Sequence, residues 1–162
     1  MKKTILHRDQ LYSEDVFQIL MNYEIIRTIR YPTPLSLIHL EMTAHAADGE
    51  TPQSAAFIFE TALNSRLRAV DIPTRHGKGY LILLPTTNEV GARAVCERLL
   101  AIFDKEFETE EGKSVKFLLQ IGVASHNGGP ILMKETLLQT AELGLQQSRS
   151  KGANTIGTIQ NR

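Results

Sequence analysis

Residues 115–124 read Val-Lys-Phe-Leu-Leu-Gln-Ile-Gly-Val-Ala, and this run dictates much of what the chain can become. Successive side chains of a strand point to opposite faces, so Val115, Phe117, Leu119, Ile121 and Val123 share one side. A strand with one wholly apolar face must be covered by another layer. The rest of the chain supplies the material, because helix-period and strand-period segments alternate with short breaks. That order points to an α/β or α+β layer fold.

A leading helix is expected over 13–31, after an extension covering residues 1–12. Ser13 suits the cap, Glu14 and Asp15 suit the positive first turn, and Tyr31-Pro32-Thr33-Pro34 ends the segment. Its apolar face is read as Val16, Ile19, Leu20, Tyr23 and Ile26. A strand over 35–42 places Leu35, Leu37, His39 and Glu41 on one side and Ile38, Leu40 and Met42 on the other, with a polar stretch over 43–50 behind it. Thr51-Pro52 reads as the cap and first residue of a helix carrying Ala55, Phe59, Ala62, Leu63 and Arg66. Residues 71–75 and 80–85 form a hairpin closed by Gly77-Lys78-Gly79, and Pro73 removes a ladder donor, so its arm belongs at an edge or a bulge. Thr86 with Glu89 makes a capping box for a helix whose core stripe is Ala92, Val95, Cys96, Leu99, Ile102 and Phe103. Residues 104–113 read as a charged loop. A last helix carries Leu137, Leu138, Ala141, Leu145 and Ser148, stops at Gly152, and leads to a short strand over 155–159. There is no internal repeat or boundary, so 1–162 is read as one domain.

Composition excludes several classes of function. The 162 residues suit one domain of roughly 100–200. With 18 Lys+Arg against 18 Asp+Glu, the chain has no surplus for a broad basic face that grips nucleic acid. The single Cys96 excludes an internal disulfide and a Cys-rich zinc cluster, and it fits a reducing compartment. No apolar run reaches the roughly 18 residues of a membrane span. Met1-Lys2-Lys3-Thr4 leads into polar residues and not a signal core. A cytoplasmic chain without membrane insertion is the expectation.

Read for chemistry, His39, Glu41 and His45 are candidate metal ligands from a strand and the loop behind it, against a bland reading as a half-buried strand end and a solvated histidine. His7, His76 and His126 stand alone. Cys96 lies on an apolar stripe and reads as core filler. Gly77-Lys78-Gly79 lacks the length and the following helix of a phosphate-binding loop, and a tight turn explains its glycines. Arg68-Ala69-Val70-Asp71 stands at a helix-to-strand corner. There an arginine fork can hold phosphate or a guanine edge, or the arginine simply ends its helix in solvent.

Several segments together resemble the GGDEF domain of diguanylate cyclases over about 17–156. Pro34-Leu35-Ser36-Leu37-Ile38-His39-Leu40-Glu41 is similar to the family's first strand, and Asp71-Ile72-Pro73-Thr74-Arg75-His76-Gly77 followed by Leu83-Leu84-Pro85 to its signature hairpin. Ala94-Val95-Cys96-Glu97-Arg98-Leu99 resembles its Ala-Glu-Arg helix, and Gln120-Ile121-Gly122-Val123-Ala124 its Ser-Ile-Gly-Val-Ala strand. Ala141-Glu142, Arg149, Gly152 and Asn154 resemble its closing helix with a Lys-x-x-Gly-x-Asn end. The resemblance implies an α+β fold of the nucleotidyl cyclase palm type: a central mixed, mainly antiparallel sheet flanked by helices, with a protruding hairpin.

What the resemblance implies about activity is negative. Family members hold two divalent metals on GTP with a carboxylate from the first strand and another from the signature turn. Here the turn is Gly77-Lys78-Gly79-Tyr80, one residue short, and no placement of the gap brings Asp or Glu to the third or fourth signature position. Glu41 replaces the first aspartate, and no match to the guanine-reading Asn and Asp occurs in 43–50. Arg149 stands in for a phosphate-binding lysine, while Ala153 sits where arginine is common. The expectation is therefore a chain that is not an enzyme, with no cofactor and no metal. The regulatory positions read differently. Arg68 and Asp71 fit the family's inhibitory Arg-x-x-Asp five residues before the turn, and Arg98 matches the further arginine that completes that site. A cyclic di-GMP site of Arg68, Asp71 and Arg98 is expected, with both arginines on phosphates and guanine faces and Asp71 accepting from guanine N1–H and N2–H. The alternative is an interaction domain without nucleotide, docking a protein partner through its sheet edge or first helix. A dimer stays open.

Overall fold

The computed structural model describes residues 11–159, so His7 and positions 1–10 of the expected extension lie outside the described residues. In chain order the elements are α1 (Glu14–Arg30), β1 (Leu35–Ala46), α2 (Ala55–Ser65), β2 (Ile72–His76), β3 (Gly79–Pro85), α3 (Glu89–Ile102), β4 (Glu106–Glu108), β5 (Ser114–His126), α4 (Lys134–Lys151) and β6 (Thr155–Thr158). The strands form one sheet in the order β2-β3-β1-β5-β4, with β6 also against β5. All pairings are antiparallel except β5 with β6. The α+β architecture with a mixed, mainly antiparallel sheet is the expected one.

The alternation in β5 sets the layers. Val115, Phe117, Leu119, Ile121 and Val123 join Ile38 and Leu40 of β1 in a core covered by α2 and α3, through Phe59, Leu63, Val95, Cys96 and Leu99. The opposite face, with Leu35, Leu37, Leu81 and Leu83, is covered by α1 and α4 through Phe17, Met21, Ile25, Leu137 and Ala141. Where α4 crosses the sheet, glycines permit backbone contact. A Cβ at Gly122 would lie 2.1 Å from the Ala141 carbonyl oxygen, and one at Gly157 would lie 1.8 Å from that of Gly144. At the end of α4, Gly152 adopts φ 111°. Asn154, at φ 59°, then completes the ladder, its Oδ1 accepting from Leu119 N at 2.9 Å.

Several local expectations are corrected. The buried face of α1 is Phe17, Met21, Ile25 and Thr28, whereas Val16, Ile19, Tyr23 and Ile26 face outward. Thr28 is accommodated because its hydroxyl donates to the carbonyls of Glu24 and Ile25. The cap of α3 is Asn88, whose Oδ1 accepts from Gly91 N at 2.9 Å; Thr86 instead takes φ 51°. The cap position of α2 is Ser54 and not Thr51. β1 continues to Ala46 because β5 runs beside it, pairing Thr43 with Leu118 and Ala46 with Val115. The charged segment 104–113 contains β4, held by Glu106 opposite Lys116. Tyr12, assigned to the extension, bridges to Thr74 on the free side of β2. Pro73 does sit in an edge strand, its carbonyl accepting from Tyr12 N at 3.0 Å. No helix among the described residues is long and apolar enough to cross a membrane.

Candidate functional site

The β2–β3 hairpin has two chemically distinct ends. At the turn, His76 pairs with Gly79, so only Gly77 and Lys78 form the loop. Gly77 takes φ 55°, as the first central residue of a type II′ turn requires. Gly79 packs against β1 so closely that a Cβ there would meet the Leu40 carbonyl oxygen at 2.1 Å and Glu41 Cγ at 3.0 Å. The turn therefore abuts Glu41.

Glu41 is engaged from the other side by α4. Arg149 donates to its Oε1 from Nε at 2.9 Å and from an Nη at 2.6 Å. On the same sheet face the rings of His39 and His76 meet edge to face at 5.4 Å. Burial, and then the neighbouring His76, hold His39 below its ordinary value of 6.5. His76 Nδ1 lies 3.4 Å from Glu14 Oε1. A divalent pair needs hard, converging carboxylates. This end offers a carboxylate paired to a guanidinium and a turn that carries an ammonium group, so the residues present do not fit such a pair. Nor does His45 join His39 and Glu41. It stands on β1, and at about 3.4 Å per residue it is about 14 Å from Glu41. Among the described residues no group of three or more His, Cys, Asp or Glu could hold a metal ion. Cys96 is buried, and burial pushes its thiol up to about 12, which removes it as a nucleophile. His126 serves its own loop, its Nδ1 accepting from Gly128 N at 2.8 Å.

The other end lies where α2 hands over to β2. Residues 68–71 close a turn in which Asp71 N donates to the Arg68 carbonyl at 3.0 Å and Arg68 N donates to Asp71 Oδ2 at 2.7 Å. The Arg68 side chain folds over the same turn. Nε and Nη2 donate to Asp71 Oδ1 at 3.2 and 2.9 Å, and Nη2 also donates to the Pro85 carbonyl at 2.9 Å and Thr87 Oγ1 at 2.7 Å. Asp71 is 0% exposed, whereas the Arg68 side chain is 47% exposed. Arg98, on the outer side of α3, donates to the Arg66 carbonyl at 3.3 Å. The structure thus brings Arg68 and Arg98 to one end of α2, separated in sequence by 30 residues, and turns Asp71 inward as the anchor of Arg68.

Sequence reasoning missed the anchors Pro85 and Thr87, which follow β3 and meet Arg68 only in three dimensions. It also missed a buried carboxylate. Glu60 of α2 accepts from Arg75 Nε at 2.8 Å and from the Tyr80 hydroxyl at 2.9 Å, tying the helix to both hairpin arms. Burial foremost, and then Glu60, push the Tyr80 phenol well above its ordinary range, while the hydrogen bond that Arg75 donates to Glu60 raises Arg75. One signal was available: Glu60 is the only ionisable residue of α2.

Comparison with known proteins gives this geometry a context. No protein-family model matches the chain. Response regulator PleD of Caulobacter vibrioides is 28% identical over 101 residues, covering 60% of this chain and 22% of that protein. Diguanylate cyclase A of Treponema denticola is 25% identical over 100 residues, covering 61% of this chain and 27% of that protein. The matched region thus spans about a quarter of the length of these relatives. Among solved structures, the active GGEEF domain of a diguanylate cyclase from Vibrio cholerae superposes with a TM-score of 0.76 at 16% identity, covering 94% of this chain and 100% of that one. The coiled coil and GGDEF domain of DgcB from Caulobacter crescentus, in complex with c-di-GMP, superposes at 0.75 with 11% identity, covering 94% and 83%. The chain has the fold of a GGDEF diguanylate cyclase domain.

Proposed function

We propose that the chain is a non-catalytic, cytoplasmic GGDEF-type module that binds cyclic di-GMP through Arg68 and Arg98, with Asp71 holding Arg68 in place. The observation that carries this reading is the state of Arg68. Nε and Nη2 are fixed by Asp71, Pro85 and Thr87, while Nη1 makes no hydrogen bond among the described residues and about half the side chain faces solvent. A guanidinium so held presents a planar donor edge and a face with little rotamer freedom left to lose on binding. Arg98 adds a second fork, anchored two residues from Arg68 in the chain. A cyclic dinucleotide carries two phosphate charges, so two arginines answer it without the basic surface that a polymer requires.

In this reading Asp71 acts through Arg68 and does not receive the guanine Watson–Crick edge, since its carboxylate faces inward. The absence of catalysis is supported by the Glu41–Arg149 pair and the Gly77-Lys78 turn. The second reading, an interaction domain without nucleotide, draws on the bonds that already occupy Asp71 and Nη2 of Arg68. Titration calorimetry separates the two. Heat of binding with cyclic di-GMP that vanishes in Arg68→Ala supports the ligand site. No heat, or the same affinity in Arg68→Ala, favours the second reading. Incubation with GTP and Mg²⁺ or Mn²⁺ is expected to form no cyclic dinucleotide, and product formation would overturn the non-catalytic part.

A further inference from the structure

α1 is apolar on two sides. Phe17, Met21 and Ile25 face the sheet, yet Ile19, Tyr23 and Ile26 are 58%, 72% and 66% exposed, with Val16 at 39% beginning the row. At about 100° per residue the outer row lies roughly opposite the buried face, so it points straight away from the domain. The spacing of Val16, Ile19, Tyr23, Ile26 and Arg30 alternates three and four residues, the seam that one helix offers to another. A surface helix normally confines its apolar residues to the core side.

The charge on the helix selects the occupant. Glu14 and Asp15 stand in the first turn, and Arg27 and Arg30 in the last. A parallel copy would set acid beside acid and base beside base. An antiparallel copy brings Arg30 of one chain toward Asp15 of the other, with the helix dipoles opposed as well, while Glu14 turns to His76 of its own domain and Arg27 pairs with Glu24 of its own helix.

We infer that two copies of this chain pair antiparallel through α1 about a two-fold axis, Val16 of each copy against Ile26 of the other and Ile19 against Tyr23. This register matches all four apolar positions and leaves the two domains on the outside of the pair, a self-complementary contact of the commonest kind. Neither Arg68 nor Arg98 takes part, so the pairing stands independently of the proposed ligand.

Sedimentation velocity of the full chain over a concentration series is expected to show a monomer–dimer equilibrium. The variant carrying Ile19→Lys and Ile26→Lys should dimerise at least about thirtyfold more weakly, the scale of losing a central contact of an interface. Both residues are exposed, so its thermal melt should match the wild type at concentrations low enough for the wild type to be monomeric. Orientation is read by oxidation of Val16→Cys and Ile26→Cys chains. Mixed together they should form a disulfide between the two variants, whereas each alone should not. In the antiparallel register like positions are about 15 Å apart along the axis, beyond disulfide reach. Cys96 is buried and does not compete. A monomer at every concentration, a dimer that survives the double lysine variant, or a Val16→Cys chain that links to itself would overturn the inference.

Discussion

Removing Asp71 separates a structural bracket from an ordinary surface ion pair. Its carboxylate is 0% exposed and accepts from Arg68 N at 2.7 Å, Nε at 3.2 Å and Nη2 at 2.9 Å. A hydrogen bond to a charged group contributes about 1.5–3 kcal/mol. The backbone bond lies within the turn and keeps most of that value. The guanidinium is 47% exposed, which moves its share toward the roughly 0–1 kcal/mol of a surface pair. Asp71→Ala should therefore cost about 3 kcal/mol, or about 6–12 °C in Tm for a domain of this size. Arg68→Ala keeps the turn but removes the guanidinium's hydrogen bonds to the buried carboxylate, and should cost about 2 kcal/mol. The two changes share one interaction, so the double variant should fall short of their sum by about 1–2 kcal/mol. Urea unfolding of the four proteins, at constant m-value, measures this coupling. Additivity within about 0.3 kcal/mol, the behaviour of independent sites, would show that Asp71 does not hold Arg68 and would remove the basis for its positioning role.

Three further outcomes follow from the packing. Gly157→Ala places a Cβ 1.8 Å from the Gly144 carbonyl oxygen, so β6 must move off α4, and urea unfolding should show a loss of about 3 kcal/mol or more. Tyr80 is raised by burial and Glu60, so its contribution is complete below the unfolded phenol value of 10.0 and declines as pH rises beyond it; His39 is lowered, so its contribution is complete above 6.5 and declines on acidification. Stability measured across pH should lose part of its alkaline slope in Tyr80→Phe and part of its acid slope in His39→Leu. Cys96, with its thiol pushed up to about 12 by burial, should react with a thiol reagent only as fast as the protein opens, so labelling faster than unfolding would contradict its buried place.

The sheet was legible because β5 states its buried face without ambiguity, and the hairpin because Gly77 and Pro73 each admit few placements. α1 was misread because its sequence carries two apolar rows of helical spacing. Phe17, Met21 and Ile25 beat Val16, Ile19, Tyr23 and Ile26 for the core, and Thr28 joined them by bonding back to its own helix. β1 outran its expected end because pairing with β5 supplies what the polar residues beyond Met42 do not announce. Of the candidate site, the arginines were found by pattern and the inward turn of Asp71 was not. That turn depends on Pro85 and Thr87 receiving Arg68, contacts between segments 17 and 19 residues apart that no local spacing encodes.

The central claim is that a small dianionic nucleotide binds at the end of α2 and not at the hairpin turn. Amide chemical shifts recorded during titration with cyclic di-GMP test this most directly. The account predicts saturable shifts confined to residues 66–71 and to the part of α3 around Arg98, absent in Arg68→Ala. Shifts centred on Gly77, Lys78, Glu41 and Arg149, or none at all, would contradict it.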